Sequence, residues 1–366
     1  MLGLNAFHKL LLRMDPETAH DRAIDFMRLA QSAGVPLSWL RSRCVVRDPR
    51  LEQGIWDLTF PNPVGLAAGY DKNGEVVRGM AALGFGFLEV GTVTPMPQRG
   101  NPKPRVFRHP GEGSLQNSLG FNNAGGDALA AKLRQQSPLP LPVGVNIGKN
   151  KKTPAEEAVR DYEALVDRLG ELSSYLVINV SSPNTPGLRE MQRQETVVDL
   201  VGKCRRRTSR PILVKLAPDL EDGEAVDLSL ASIEAGASGI VITNTTTDYS
   251  LLPGVEPRGG LSGRVLRQRS FAVLRLLSRH LQGRGHLISV GGIESAQEVY
   301  ARLKAGASLV QLYTALIYEG PLLVNRILRG LVELMAEDGV SSVQEVVGTE
   351  REQSKSPPET TKHQEH

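Results

Sequence analysis

The sequence predicts an α/β protein: a (β/α)8 barrel of the TIM type preceded by an N-terminal helical extension. Three observations carry this. From Pro63 onward, short β-branched runs bounded by glycine alternate with helical patterns, as parallel βαβ units require. There are eight such runs. Polar residues and glycines collect at the C-terminal ends of the runs, which in a barrel form one active face. A doubly wound open sheet is the alternative, disfavoured because no Gly-x-Gly-x-x-Gly turn follows an early strand.

The first element is the extension, residues 1–44, which reads as two amphipathic helices. One carries Leu4, Phe7, Leu10, Leu11 and Met14. The other opens on Asp15-Pro16-Glu17, carries Ala19, Ala23, Ile24, Phe26, Met27 and Ala30, and ends at Gly34-Val35-Pro36. Lys9, Arg13, Arg22 and Arg28 are interspersed. Such a surface suits a membrane interface or the roof of an apolar tunnel, and equally a cap packed on the barrel.

The barrel is assigned to residues 45–348. Its strands are expected within 63–69, 87–94, 143–148, 175–182, 212–218, 239–246, 287–293 and 309–315. Helical spacing of apolar residues follows in segments such as 154–170, 221–236, 264–282 and 294–306. Residues 349–366 contain no apolar side chain and are expected to be a disordered polar tail.

Composition narrows the function. The 366 residues carry 43 Lys and Arg against 40 Asp and Glu, a formal charge of +3, which excludes a strongly basic nucleic-acid binder. Residues 1–50 hold eight basic and five acidic side chains, so the whole excess lies in the N-terminal seventh. No apolar run approaches a bilayer-spanning length, and no basic n-region with a cleavage site stands at the start, so no signal peptide is expected. Cys44 and Cys204 have no metal-ligand spacing and make no disulfide framework; a reducing compartment and no structural zinc are expected.

The strand ends then suggest chemistry. Gly291-Gly292-Ile293-Glu294-Ser295 and Tyr313-Thr314 occupy the late-strand position where barrels hold a phosphate with backbone N–H groups, although a tight strand-to-helix turn would explain the glycines too. Lys72 and Lys215 at strand ends need anionic or electron-rich partners, or serve as Schiff-base lysines. The amides Asn117, Asn146, Asn179, Asn184 and Asn244 suit the planar amide edge of a pyrimidine or an isoalloxazine ring. Few carboxylates among them argues against metal or glycosidase chemistry.

Eight blocks in order carry a resemblance: Gly65-Leu-Ala-Ala-Gly-Tyr-Asp-Lys72-Asn, Glu89-Val-Gly-Thr92-Val-Thr-Pro, Asn117-Ser-Leu-Gly-Phe121-Asn-Asn, Asn179-Val-Ser-Ser182-Pro-Asn184-Thr-Pro-Gly, Lys215-Leu-Ala-Pro-Asp, Thr243-Asn-Thr-Thr, Gly259-Gly-Leu-Ser-Gly263 and Gly306-Ala-Ser-Leu-Val-Gln-Leu-Tyr313-Thr314. Over roughly residues 1–345 the chain resembles the membrane-associated, quinone-reducing class of dihydroorotate dehydrogenases.

The resemblance implies FMN as cofactor, its phosphate met by Gly263, Gly292, Tyr313 and Thr314, with Ala68, Gly69, Thr92, Asn146, Asn179, Lys215 and Thr243 around the ring and ribityl chain. It implies that Lys72, Asn117, Ser118, Leu119, Gly120, Phe121, Asn179, Asn184, Asn244 and Thr245 hold dihydroorotate or orotate. Ser182 would be the base that takes the C5 proton while the C6 hydride passes to flavin N5; the soluble classes place a cysteine there. A serine alkoxide is inaccessible near neutral pH, so the proton needs a relay, for which Thr185 and a water near Phe121 are candidates.

By the same resemblance His20 and Arg108 would touch the head of a membrane quinone, and the extension would bind the membrane surface. No targeting and spanning segment of the kind mitochondrial members carry is expected. A monomer, peripheral on the cytoplasmic side of a bacterial inner membrane, is therefore expected. Without the resemblance, a Schiff-base barrel lyase using Lys72 or Lys215 and a non-catalytic phosphate-binding barrel remain open.

Overall fold

The structure, a computed structural model, describes residues 2–33 and 35–350. Eight parallel strands close a barrel: Val64–Leu66, Phe87–Val93, Val143–Ile147, Tyr175–Asn179, Ile212–Leu216, Gly239–Ile242, His286–Val290 and Leu309–Leu312. The eighth pairs with the first through Val310 and Val64, which completes the ring. Nearly every strand residue is buried, because helices cover the outside and side chains fill the inside; this is why the sequence shows continuous β-branched runs.

Each strand is followed by helix: Val77–Ala82, Gly126–Gln136, Ala158–Leu169, Gln194–Arg205, Asp222–Glu234, Arg267–Leu281, Ala296–Lys304, and after the last strand Thr314–Glu319 and Leu323–Glu337. The barrel and its order are those the sequence predicts, and the open sheet is ruled out.

Two additions escape the sequence pattern. A hairpin of Gln53–Ile55 and Leu58–Phe60 precedes the barrel, turning at Trp56 and Asp57, both at positive φ as a two-residue hairpin turn demands. Trp56 packs edge-on against Phe60 and His286, and Ile55 and Phe60 join Phe87, Tyr175 and Ile288 in a separate apolar cluster that plugs the barrel. Beside the active face, Val106–His109, Ser114–Asn117 and Gly260–Gly263 form a three-stranded antiparallel sheet.

The described residues of the extension form three helices, where the sequence predicts two: α1 Leu2–Leu12, α2 Pro16–Ala33 and α3 Val35–Cys44. The Val35-Pro36 pair expected to end the second helix begins a third, since proline is tolerated in a first turn, where no intrahelical N–H bond is lost. Gly34 and the side chain of Leu4 lie outside the described residues. Met27, Leu40 and Cys44 are buried in the main barrel core, so the extension is packed on the barrel, while Leu10, Phe26, Leu29 and Trp39 remain exposed. Cys44 and Cys204 are both buried free thiols.

At the other end, Thr349 bonds to the Val346 carbonyl and Glu350 pairs with Arg275, so the fold continues two residues past the expected boundary. The rest of the expected disordered tail, 351–366, lies outside the described residues. No helix among the described residues is long and apolar enough to cross a membrane.

Candidate active site and the cavity beside it

The C-terminal ends of the barrel strands open into a pocket of about 160 Å³. Ala68, Gly69, Thr92, Asn179, Lys215, Thr243, Gly263, Gly292, Tyr313 and Thr314 all line it, as do Lys72, Asn117, Leu119, Gly120, Phe121, Ser182, Asn184, Asn244 and Thr245. Of the sequence-predicted residues for this pocket, Asn146 and Ser118 do not reach its wall. Asn146 is fully buried behind it, and Ser118 spends its backbone on Arg105 and Asn101.

Asn146 organises the floor. Its Oδ1 accepts from Thr92 Oγ1 at 2.5 Å and Asn179 Nδ2 at 3.1 Å, and its Nδ2 donates to Glu89 Oε1 at 2.7 Å. Gln311 Nε2 donates to Glu89 Oε2 at 2.7 Å, and Lys215 Nζ lies 3.8 Å from Oε1. Glu89 is fully buried, and it keeps its charge partner and two amide donors as a buried carboxylate must. Asn179 Oδ1 in turn accepts from Asn244 Nδ2 at 3.3 Å, which carries the network across the barrel.

Glu89 and Gln311 were missed as site residues. Their signal was a long polar side chain, Glu89 as the one charged residue of the buried run Phe87–Val93 and Gln311 as the one polar residue of Leu309–Leu312.

One wall is built from two glycine turns and the start of a helix. Gly263 has φ +95°, and a Cβ there would lie 2.5 Å from the Gly113 carbonyl and 2.8 Å from Thr314 Cγ2. Gly292 has φ +73°, and a Cβ would meet the backbone of Arg267 at 2.6 Å. Only glycine fits either turn. Thr314 opens the helix Thr314–Glu319, and its hydroxyl pairs with Ser262 Oγ at 2.9 Å.

The opposite wall carries amides and hydroxyls. Asn184 Nδ2 donates to Asn117 Oδ1 at 3.0 Å, and the Asn184 N–H donates to Ser182 Oγ at 3.2 Å. Asn184 Oδ1, Thr245 Oγ1 and Gln311 Oε1 are buried atoms of pocket-lining residues without a hydrogen-bond partner among the described residues, and Thr185 Oγ1, three positions on from Ser182, is likewise buried and without one, although Thr185 does not line the pocket. Buried polar atoms left open on a pocket wall call for a polar ligand. Arg189, also missed, donates to the Ser181 carbonyl at 3.0 Å and the Thr245 carbonyl at 2.8 Å, fixing the serine loop against the next one.

Lys72 stands where two spaces meet. Asp71 accepts the N–H groups of Glu75 and Val76 and so pins the turn that presents Lys72, whose Nζ donates to the Gly69 carbonyl at 2.8 Å. Burial, with a further push from the Arg105 charge, lowers the Lys72 ammonium to about 8.

Beyond Lys72 lies a second cavity of about 400 Å³ between α1, α2 and the barrel. Its wall includes Phe7, Leu11, Ile24, Met27, Leu316 and Ile317, with His20 and Arg108 as polar members. The two spaces share Lys72, Val106, Leu115, Leu119 and Tyr313.

His20 lies edge-on to Tyr70 with centroids 5.0 Å apart, and burial, followed by the Lys72 charge, depresses its imidazole to about 3. It is therefore neutral at physiological pH. Arg108 donates to the carbonyls of Leu11, Leu12 and Met14, holding the C-terminal end of α1, and burial lowers its pKa. No group of three His, Cys, Asp or Glu able to hold a metal occurs among the described residues.

Comparison with known proteins is consistent across sequence and structure. The family model described as dihydroorotate dehydrogenase matches residues 50–335. A dihydroorotate dehydrogenase (quinone) of Nitratiruptor sp. is 46% identical over 347 residues, covering 95% of this chain and 99% of that protein. That of Nautilia profundicola is 48% identical over 350 residues, covering 96% and 98%. A crystal structure of DHODH from Eimeria tenella in complex with ferulenol superposes with a TM-score of 0.82 at 36% identity, covering 92% of this chain and 96% of that one.

Proposed function

The chain belongs to the dihydroorotate dehydrogenase family, and from that premise we propose how its two connected spaces divide the work of oxidising dihydroorotate in pyrimidine synthesis and handing the electrons to a quinone. Family membership makes it an oxidoreductase, and the lyase and non-catalytic readings are set aside. The observation that carries the proposal is the shared wall of Lys72, Val106, Leu115, Leu119 and Tyr313 between pocket and cavity.

FMN suits the pocket. Gly263, Gly292, Tyr313 and Thr314 would hold its phosphate, while Ala68, Gly69, Thr92, Asn179, Lys215 and Thr243 would line its ring and chain, with Asn146 supporting them from behind. Bound FMN would accept the C6 hydride of dihydroorotate and pass the electrons on to quinone.

Ser182 takes the C5 proton. The Asn184 N–H directed at Ser182 Oγ fixes the oxygen and favours its more negative form, and the open hydroxyl of Thr185 is the next carrier. Lys72 meets the substrate carboxylate; Asn117, Asn184, Asn244 and Thr245 take the ring amides, and Leu119, Gly120 and Phe121 close over it, with Ser118 shaping the loop. The Arg189 clamp holds Ser182 and Thr245 in register during the transfer.

The larger cavity suits the quinone head and first isoprenoid units, with the neutral His20 imidazole as its polar contact and Arg108 both lining the space and holding α1 over it. The exposed Leu10, Phe26, Leu29 and Trp39 suit contact with lipid; in this reading the protein works as a monomer on the cytoplasmic face of a bacterial inner membrane, the extension 1–44 forming the quinone unit and 45–348 the catalytic one. Purified protein is expected to show flavin absorbance that dihydroorotate bleaches anaerobically. A colourless protein that binds no added FMN would overturn the proposal.

A further inference from the structure

We infer that Arg302, a residue outside the pocket, is a positioning residue for the cofactor phosphate, strengthening the Gly291–Gly292 turn from beneath; this rests on the FMN reading above.

Arg302 lies on the helix Ala296–Lys304 and is only 2% exposed. Its Nη1 donates to Ser289 Oγ at 2.7 Å, and its Nη2 donates to the Gly291 carbonyl at 2.8 Å, Ser270 Oγ at 3.0 Å and the Arg267 carbonyl at 3.3 Å. The guanidinium stands 5.1 Å from the centroid of Phe271. Every one of these partners is neutral.

The acidic groups nearby are committed elsewhere. Glu294 pairs with Arg264 at 3.2 Å and Arg267 at 2.7 Å, and Glu298 pairs with Arg267. Arg302 has no carboxylate within ion-pair distance among the described residues. The Glu298 charge acts on it from beyond ion-pair distance but does not outweigh burial and the Arg267 charge; a guanidinium buried without a contacting countercharge is costly, and a dianionic phosphate on the far side of the turn would offset that cost.

The coupling has a defined route. The Gly291 carbonyl and the Gly292 N–H belong to one peptide unit, and Gly292 lines the pocket wall. Two donors converge on that carbonyl, Arg302 Nη2 and Ser270 Oγ, the latter at 2.8 Å. A charge-assisted bond on the carbonyl polarises the peptide and makes its N–H a stronger donor. Burial pulls the guanidinium down to about 10, which leaves it cationic at neutral pH.

Riboflavin, which lacks the phosphate, separates this role from simple support of the fold. The full-length protein and Arg302→Met, each stripped of flavin, are titrated with FMN and with riboflavin by flavin fluorescence. The variant is expected to weaken FMN binding on the order of tenfold to a hundredfold, the usual effect of one charge acting on a phosphate across a short distance, and to leave riboflavin binding within about twofold. Equal losses for both ligands, or none for FMN, would overturn the inference.

Should Arg302→Met not fold, Arg302→Lys supplies the test: it retains the charge, and its preference for FMN over riboflavin is expected to survive. Loss of that preference in the lysine variant would count against the inference. Independently, the phosphorus resonance of FMN in the wild-type holoenzyme is expected to titrate below the ordinary second phosphate ionisation near ~6, and a value at or above it would overturn the proposal. Wild-type protein that binds neither flavin would bring down the FMN reading itself, a result recognisable without any variant.

Discussion

Arg105 and Glu17 form a partly buried two-pronged ion pair, Nη2 to Oε1 at 2.6 Å and Nε to Oε2 at 3.2 Å, that fastens the start of α2 to the rim of the barrel. Arg105 is 5% exposed, and its Nη1 also donates to the Arg99 and Asn101 carbonyls at 2.7 Å. Asn101 continues the chain of contacts, donating to the Ser118 and Asn184 carbonyls. The roof of the proposed quinone cavity is thus joined to the proposed substrate loop through three residues.

That pair carries a pH dependence. Burial raises the Glu17 carboxyl, but the hydrogen bonds from Arg105 and Lys103 outweigh it and leave it below its ordinary 4.5. A depressed carboxyl contributes stability that is complete above the unfolded value and is lost as pH falls through the folded one. Glu17→Gln is expected to destabilise the protein at neutral pH by roughly 1 to 2 kcal/mol, between the worth of an exposed pair and the cost of breaking a buried one, and to flatten its acid-side melting curve. Thermal melts between pH 7 and 3 check both.

Ser182→Ala is expected to retain FMN and bind orotate while slowing flavin reduction by dihydroorotate on the order of 10² to 10⁴, the worth of a positioned base. Ser182→Cys should recover part of that rate as pH rises, because a thiolate is a competent base. If cysteine performs no better than alanine at any pH, geometry and not proton affinity limits the step.

Lys215→Ala would leave the Glu89 carboxylate, beside the proposed flavin site, with amide donors alone. An uncompensated buried anion disfavours a reduced, more negative ring. The reduction potential of any retained FMN is expected to fall by several tens of millivolts, ~30 mV corresponding to ~1.4 kcal/mol for a two-electron couple, and FMN affinity should fall with it. Spectroelectrochemistry that finds an unchanged potential would remove Lys215 from the flavin site.

Lys72, lowered to about 8, would give the proposed substrate step its own alkaline limit. Below pH 8 the ammonium is charged and can meet a carboxylate; above it the neutral amine must first gain a proton, at a tenfold loss of affinity per pH unit. KM for dihydroorotate is expected to rise above pH 8, and Lys72→Arg to move that rise upward. A flat KM through pH 9.5 would contradict the assignment.

The barrel was legible because a strand buried on both faces must be continuously apolar and β-branched, and the turns between such strands need glycine. The hairpin at 53–60 was not, since its turn uses Trp56 and Asp57 at positive φ, where a pattern reader expects glycine or asparagine. The three-stranded sheet was hidden for a related reason: Val106–His109 is half-buried throughout and shows no alternation. Of the site, the residues at strand ends could be read, and those that position them could not. Glu89 and Gln311 act from inside the barrel, where only a long polar side chain in a buried run marks them, whereas Asn146 was read as a ring contact and instead supports the wall from behind; Arg105 and Arg189 act through a distant carboxylate and loop carbonyls, contacts that leave no local sequence signature.

The division between a substrate pocket and a quinone cavity is tested most directly by removing residues 1–44 and following both half-reactions of the truncated protein in an anaerobic double-mixing stopped-flow experiment. Because Met27, Leu40 and Cys44 leave the core with the extension, the truncated barrel is expected to be less stable but to fold, on the strength of its closed strand ring and internal plug. Dihydroorotate should still bleach its flavin, and a small soluble dye should still reoxidise it. Reoxidation by a long-tail quinone in liposomes should be almost abolished. Quinone reoxidation at the full-length rate would show that the cavity under α1 and α2 is a structural gap and not the quinone site.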